Sequence, residues 1–291
     1  MREESRRTAT RRHRALLASF VSAASLQAVA ADSASTLRQD SETRGYLVVR
    51  PDSCQQACPL LLALHGHRGS ASGLLRHAGL RDNAQRHGYL VVAADGVRDS
   101  WNGGRGPYGS CCDEAVQRNI DDVAFLKDVV ARVSAAYPVD RSRVYVTGWS
   151  NGCAMAQRLV AEAGEVFAAA ACTGGYLLTM HGSIARPVSV TEIHAHDDDV
   201  VKFREQAEST GARENAARWA ALDHCGTAPT HVRVGASSDV ATFTGCAGGV
   251  TVRLVTLEHS GHDTYANGDG VDLAELVWSS VRGARLASPA P

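Results

Sequence analysis

Gly148-Trp149-Ser150-Asn151-Gly152 is a G-x-S-x-G pentapeptide between two contrasting stretches. Before it, Arg143-Val144-Tyr145-Val146-Thr147 is β-branched and aromatic; after it, Cys153 to Val160 favours a helix. Strand, sharp turn and helix is the setting in which a serine hydroxyl is pushed out of a strained turn toward a substrate. Small neighbours let strand and helix close on each other, and the helix N-terminus favours developing negative charge. The chemistry this implies is nucleophilic attack by Ser150, against the plainer reading of a structural Gly-Ser turn.

A serine hydroxyl needs a base to take its proton and an acid to orient that base. With this elbow the chain order is serine, acid, histidine. Acid candidates cluster at Asp197-Asp198-Asp199, just beyond the apolar run Val188–His194. A run of this kind is also what an ordinary solvated surface looks like. The base should follow the last strand, where Val250–Glu258 leads into His259-Ser260-Gly261-His262-Asp263. His262, preceded by glycine, is the candidate base; His259, nearer the strand, reads as structural. His181, His224 and His231 read as surface or turn residues. The oxyanion donors should be the backbone N–H of Asn151 and one from the loop His65-Gly66-His67-Arg68-Gly69-Ser70, assigned to His67. Trp101 and Tyr108 are candidates for lining the substrate pocket, with ordinary packing as the alternative. His194 and His196, two apart beside the acidic cluster, could chelate a metal, but they fall where the acid belongs, and no metal or other cofactor is expected.

The elements that must hold these residues can be read from hydropathy. Apolar strand candidates recur at Tyr46–Arg50, Leu60–His65, Tyr89–Ala94, Val144–Thr147, Phe167–Cys172, Val188–His194 and Val250–Leu257. Several are unbroken apolar runs, as in strands covered on both faces of a parallel sheet. Helical patterns alternate with them at Leu74–Arg86, Asp121–Tyr137, the elbow helix, Glu205–Leu222 and Leu273–Val281. The alternation predicts one α/β domain with a mostly parallel central sheet flanked by helices.

The chain has 291 residues, 44% hydrophobic and 21% charged, with a net charge of −1. That balance argues against a nucleic-acid partner, and no apolar run in the mature chain is long enough to span a bilayer. Residues 1–30 read as an export signal: Arg2, Arg6, Arg7, Arg11, Arg12 and Arg14 precede a mildly apolar Ala15–Ala30 that ends in a small-x-small site. A disordered basic leader or an organelle transit peptide is the alternative. Residues 31–44 read as a flexible lead-in, 45–285 as the catalytic domain and 286–291 as a tail. Eight cysteines suit an exported, disulfide-bonded protein. Cys225 and Cys246 flank a loop-rich segment and are the first pair expected; Cys54 and Cys58 could staple a turn. Cys111, Cys112, Cys153 and Cys172 stay open.

Taken together, the segments resemble a known group. They are Leu64-His65-Gly66 with Gly69-Ser70; Asp95-Gly96 with Trp101-Asn102; Cys111-Cys112; Asp121 to Leu126; Tyr137 to Asp140 through Arg143 to Gly148; and Gly261-His262. They look like the secreted esterases that include extracellular poly(3-hydroxybutyrate) depolymerases and feruloyl and acetylxylan esterases, a carbohydrate esterase family 1-like group. The resemblance runs from about Tyr46 to about Val281. It implies the α/β-hydrolase fold, Ser150 as nucleophile and His262 as base. The family's H-G-x-x-D-x-x-V segment reads His194-Ala195-His196-Asp197-Asp198-Asp199-Val200-Val201 here, which selects Asp198 as the acid, with Asp197 or Asp199 one residue away. Cys153 stands where the family has glycine and could pair with Cys111, Cys112 or Cys172.

The expectation is therefore a secreted serine esterase, extracellular or periplasmic, acting on polyester oligomers or on feruloyl or acetyl esters of polysaccharides. The alternatives are three. One is a serine peptidase of the prolyl-oligopeptidase type, whose elbow often reads G-W-S-x-G but which usually carries a large extra domain. The others are an acyltransferase and a non-catalytic binding protein on the same scaffold.

Overall fold

The computed structural model describes residues 32–39, 41–107, 109–179, 183–204, 210–226, 228–234, 238–263, 265 and 268–287. The expected leader (1–30) and Tyr108 lie outside them. Along the chain run β1 (Ser33–Gln39), β2 (Glu42–Val49), β3 (Cys58–Leu64), α1 (Ala71–His77), α2 (Leu80–His87) and β4 (Leu90–Ala94). Then come β5 (Arg105–Gly106), β6 (Gly109–Ser110), α3 (Asp113–Gln117), α4 (Asp122–Ala136), β7 (Val139–Gly148) and α5 (Asn151–Glu162). Last are β8 (Ala169–Thr173), β9 (Ser189–Ala195), α6 (Ala212–Leu222), β10 (Thr230–Val234), β11 (Ser238–Phe243), β12 (Val252–Leu257) and α7 (Leu273–Val281).

The main sheet has the order β1-β2-β4-β3-β7-β8-β9-β12-β11-β10. Its centre, from β4 to β12, is parallel. Antiparallel strands finish both edges, β1 and β2 on one side and β11 and β10 on the other. The unbroken apolar runs are explained by cover on both faces. Leu60, Leu62 and Leu64 of β3 join α4, α5 and α6 in one core layer. Leu61 and Ala63, facing the other way, join α1, α2 and α7 in a second. This is the α/β-hydrolase architecture expected from the sequence, in a single domain.

Four expectations are corrected. The expected lead-in (31–44) is not loose where it is described: β1 zips against β2 in register from Ser33–Val48 to Gln39–Glu42. Their polar composition is that of an edge ribbon, in which Leu37 is buried and Ser33 to Thr36 are exposed. The stretch between Cys225 and Cys246 holds the hairpin β10–β11, whose alternation was masked by its exposed outer strand. Leu74–Arg86 is two helices, broken where Gly79 takes a left-handed φ of 65°. The expected tail also starts later, because the Leu286 N–H donates to Ser142 O at 2.9 Å and its side chain packs on the second core layer.

α4 matches its expectation closely. Asp121 caps it by accepting from the Ala124 N–H at 2.9 Å. Phe125, Leu126, Val129, Val130 and Val133 form its buried face, and Pro138 follows its extended end at Tyr137. The helix is tied to the sheet edge by a buried ion pair between Arg44 on β2 and Asp122, with the guanidinium 3.4 Å from the Phe125 ring centroid. Disulfides join Cys54 to Cys58, Cys111 to Cys112, Cys153 to Cys172 and Cys225 to Cys246. Cys153–Cys172 ties the first turn of α5 to β8, settling which partner the elbow cysteine takes. Among the described residues no helix is long and apolar enough to cross a membrane.

Candidate active site

β7 ends at Gly148 and α5 starts at Asn151, so the turn between them has two residues. Ser150 is held at φ 56° and ψ −118°, a region that side-chain-bearing residues rarely occupy and that the surroundings must enforce. Its N–H donates to Thr173 O at 2.8 Å, and the Trp149 N–H donates to Leu64 O at 3.2 Å. Gly152 has no room for a side chain: a Cβ there would collide with the carbonyl oxygens of Leu64 and His65. One at Gly148 would strike the Gly152 carbonyl. These contacts, not flexibility, are why the pentapeptide needs its glycines.

The three residues singled out for chemistry meet across long sequence distances. His262 Nε2 lies 2.9 Å from Ser150 Oγ, 112 residues away in the chain. His262 Nδ1 lies 2.8 Å from Asp198 Oδ2. Asp198 is buried at the end of β9, and its Oδ1 accepts the N–H groups of Val200 and Val201, each at 2.9 Å. Burial by itself pushes this carboxyl up, but hydrogen bonds from His194 and His262 outweigh it and hold the group well below the usual carboxylate range.

The neighbouring aspartates take other places. Asp197 accepts the N–H groups of Gly261 at 2.9 Å and Ser260 at 3.2 Å, so it anchors the loop that carries His262. Asp199 is exposed. Trp149 braces the same loop: its indole N–H donates to His262 O at 2.8 Å, with the rings 5.6 Å apart.

The β3–α1 loop lies against the elbow, since a Cβ at Gly66 would sit 2.8 Å from Trp149 Cε3 and 3.3 Å from its carbonyl. His67 lies in that loop between two fixed points. The Arg68 N–H donates to Asp99 O at 2.8 Å, and the Gly69 N–H donates to Gly66 O at 3.0 Å. The His67 side chain reaches across to Asp113, with Nε2 2.5 Å from Oδ2. Asn151 opens α5, where the first N–H groups have no partner within the helix. Its side chain is buried and locked to the backbone of Trp101, accepting the Trp101 N–H at 2.7 Å and donating to Trp101 O at 2.9 Å.

Trp101 therefore corrects an expectation. It is fully buried, with its indole N–H donating to His65 O at 3.0 Å, so it cannot line a pocket for substrate. Its part is to hold Asn151. Tyr108, the other pocket candidate, lies outside the described residues. His194 and His196 also diverge, because β9 ends at Ala195 and the alternation that would put both on one face stops there. His194 is buried, whereas His196 faces Glu258 at 3.5 Å on the outside.

Sequence reasoning gave no role to the charged group behind Asp198. His194 Nδ1 is 2.9 Å from Glu192 Oε1, and its Nε2 is 2.7 Å from Val201 O and 3.4 Å from Asp198 Oδ2. Burial lowers the affinity of His194 for its second proton, yet hydrogen bonds to Asp198 and Glu192 more than reverse this and raise its pKa to about 9. The signal was present as the spacing Glu192-x-His194, which places both side chains on one face of a strand.

A model of the prolyl oligopeptidase family matches residues 83–279, two thirds of the chain and every one of the three residues that meet at Ser150. The chain belongs to that family. The relatives it resembles carry esterase names. Feruloyl esterase B of Piromyces equi is 28% identical over 78% of this chain and 42% of its own length. Probable feruloyl esterase C of Aspergillus clavatus is 26% identical over 81% and 82%. The chain thus spans about two fifths of the first of these. The acetyl xylan esterase from Aspergillus awamori superposes with a TM-score of 0.64 at 14% identity, over 84% of this chain and 98% of that one, which shows a common fold. The esterase resemblance read from the sequence is borne out by these relatives.

Proposed function

We propose that this chain is a secreted serine carboxylic ester hydrolase. The observation that carries the reading is the hydrogen-bonded series Ser150 Oγ, His262 Nε2, His262 Nδ1 and Asp198 Oδ2, with steps of 2.9 and 2.8 Å. His262 takes the Ser150 proton as Oγ attacks the ester carbonyl. Asp198 keeps Nδ1 protonated and favours the imidazolium that forms. The N–H groups of His67 and Asn151 donate to the tetrahedral oxyanion, whose charge a fixed pair of dipoles stabilises without reorganising. His262 then protonates the departing alcohol, leaving an acyl-serine. Water, deprotonated by the same histidine, releases the acid and restores Ser150.

Feruloyl and acetyl-xylan esters are the first substrates to try, because the relatives carry those names; 3-hydroxybutyrate oligomers follow from the motif resemblance. Export is supported by the basic leader and by disulfides that persist in oxidising compartments. With p-nitrophenyl acetate and butyrate, Ser150→Ala should lower kcat by about 10⁴-fold or more with the melting curve unchanged. Wild-type turnover by that variant would end the proposal. The family match favours one second reading, cleavage of a peptide after proline. Parallel rates on prolyl anilides and simple esters separate the two.

A further inference from the structure

Behind the acid of the Ser150 site lies a buried charged group that the mechanism above does not use. His194 has no exposed surface, and every polar atom its ring nitrogens meet can accept a proton. A carbonyl oxygen accepts and never donates, so Nε2, 2.7 Å from Val201 O, carries a hydrogen. Nδ1 faces the Glu192 carboxyl at 2.9 Å, which burial pushes up and the contact with His194 pulls back down. The ring is stacked on Tyr176, with centroids 5.1 Å apart and planes 14° apart, and lies T-shaped to Phe203. A flat cation stacked on the face of one aromatic ring and facing two carboxyl groups is well placed electrostatically.

Glu192 is held just as firmly. Its Oε2 accepts from Asn215 Nδ2 at 2.5 Å, and Asn215 Oδ1 accepts the Leu177 N–H at 3.1 Å. Asn215 also donates to Gln157 Oε1, which accepts the indole N–H of Trp219 at 2.7 Å. Gln157 Nε2 donates to Gly175 O at 2.8 Å. The network runs from α6 and α5 to β9 and ends at Asp198. Burying ions this deeply costs more than an apolar core of the same volume, and a carboxylate left there alone would take up a proton.

We propose that His194 is a positioning residue, held as an imidazolium between Glu192 and Asp198, which keeps the Asp198 carboxylate ionised and aimed at His262. It touches neither substrate nor reacting atoms. This inference rests on the assignment of Ser150, His262 and Asp198 made above.

The groups facing His194 are Glu192 on its own strand, Asp198 and Val201 on the following loop, Tyr176 and Phe203; Asn215 on α6 faces Glu192. In His194→Gln the positive charge nearest Asp198 disappears. Whether or not Glu192 then takes up a proton, the nearer charge dominates, so His262 holds its proton to higher pH.

The readout is covalent labelling of the full-length protein by a fluorophosphonate, which reports the Ser150 nucleophile without knowledge of the substrate. His194→Gln should be labelled about 10- to 100-fold more slowly at pH 7, and the acid limb of its rate profile should lie roughly one pH unit higher. A role confined to stability would lower the melting temperature and leave the acid limb in place, and that result overturns the inference. Should His194→Gln not fold, nitrogen NMR of histidine-labelled wild-type protein decides. His194 with both nitrogens protonated at pH 7 supports the inference, and a neutral ring overturns it. Wild-type protein that takes no label at Ser150 overturns the proposed function, and with it this inference; a labelled wild type with an unaltered variant overturns this inference alone.

Discussion

The two sides of Ser150 are built in different ways. On the side of β3 and the elbow, backbone does the work: Gly66, Gly148 and Gly152 let main chains approach so closely that no Cβ fits. Asn151 is clamped to the backbone of Trp101. On the side of β9, charge does the work: Asp198, His194 and Glu192 are buried together and satisfy one another. The first side is rigid because it is close-packed, and a small volume change should break it at any pH. The second side should tolerate isosteric changes in shape yet respond strongly to loss of a charge. The difference teaches that one site can draw its order from two kinds of constraint, with separate failure modes.

The largest effect expected on the charged side comes from Asp198→Asn. The amide keeps the shape but lets His262 adopt the wrong tautomer, so kcat should fall about 10⁴-fold with little change in the thermal melt. On the backbone side, Gly152→Ala should destabilise by about 3 kcal/mol in urea unfolding. Any folded remainder should be nearly inactive with an unshifted pH profile; a shifted profile would blur the distinction.

A third test lies at the far end of the charged side. Asp223 is fully buried, accepts the Val188 N–H at 3.0 Å, and is pushed up by burial to about 7. A carboxyl with a raised folded-state pKa contributes its stability at low pH, where it is protonated. It loses that contribution as pH climbs from its unfolded value toward 7. Asp223→Asn should therefore be more stable than wild type by on the order of 2 kcal/mol above pH 7, and equal to it near pH 4, by thermal unfolding across pH. The smallest effect is expected from Asp197→Asn. It weakens two N–H contacts that seat the His262 loop and should slow ester turnover about tenfold, whereas Asp199→Asn should leave turnover unchanged.

The elbow was legible in the sequence because its determinants are local. A β-branched strand, two glycines and a helix former sit in one short stretch, and the glycines are required by contacts to the same stretch or to the loop just after β3. α4 and α7 were legible for the same reason, since period and caps lie within the helix. β1, the polar first half of β2, and the hairpin β10–β11 were not: polar outer faces hide the alternation, and the pairing energy comes from a neighbour rather than from the strand's own pattern. Trp101 was misread because an aromatic beside a site looks alike from the sequence whether it faces substrate or holds Asn151. The choice of Asp198 over Asp197 came from a motif, but the reason for it is tertiary. All three aspartates are chemically equal, and only the one buried beside His194 meets His262.

By itself, then, the sequence determined the parallel sheet with helices on both faces and the elbow that carries the proposed nucleophile, because each is written in residues close together in the chain. Only the tertiary structure decided the cysteine partner of Cys153, the place of Trp101 and the company His194 keeps. Those depend on which side chains share a buried volume, and in a low-dielectric interior that sharing determines whether a group is charged, what it points at and what it can do.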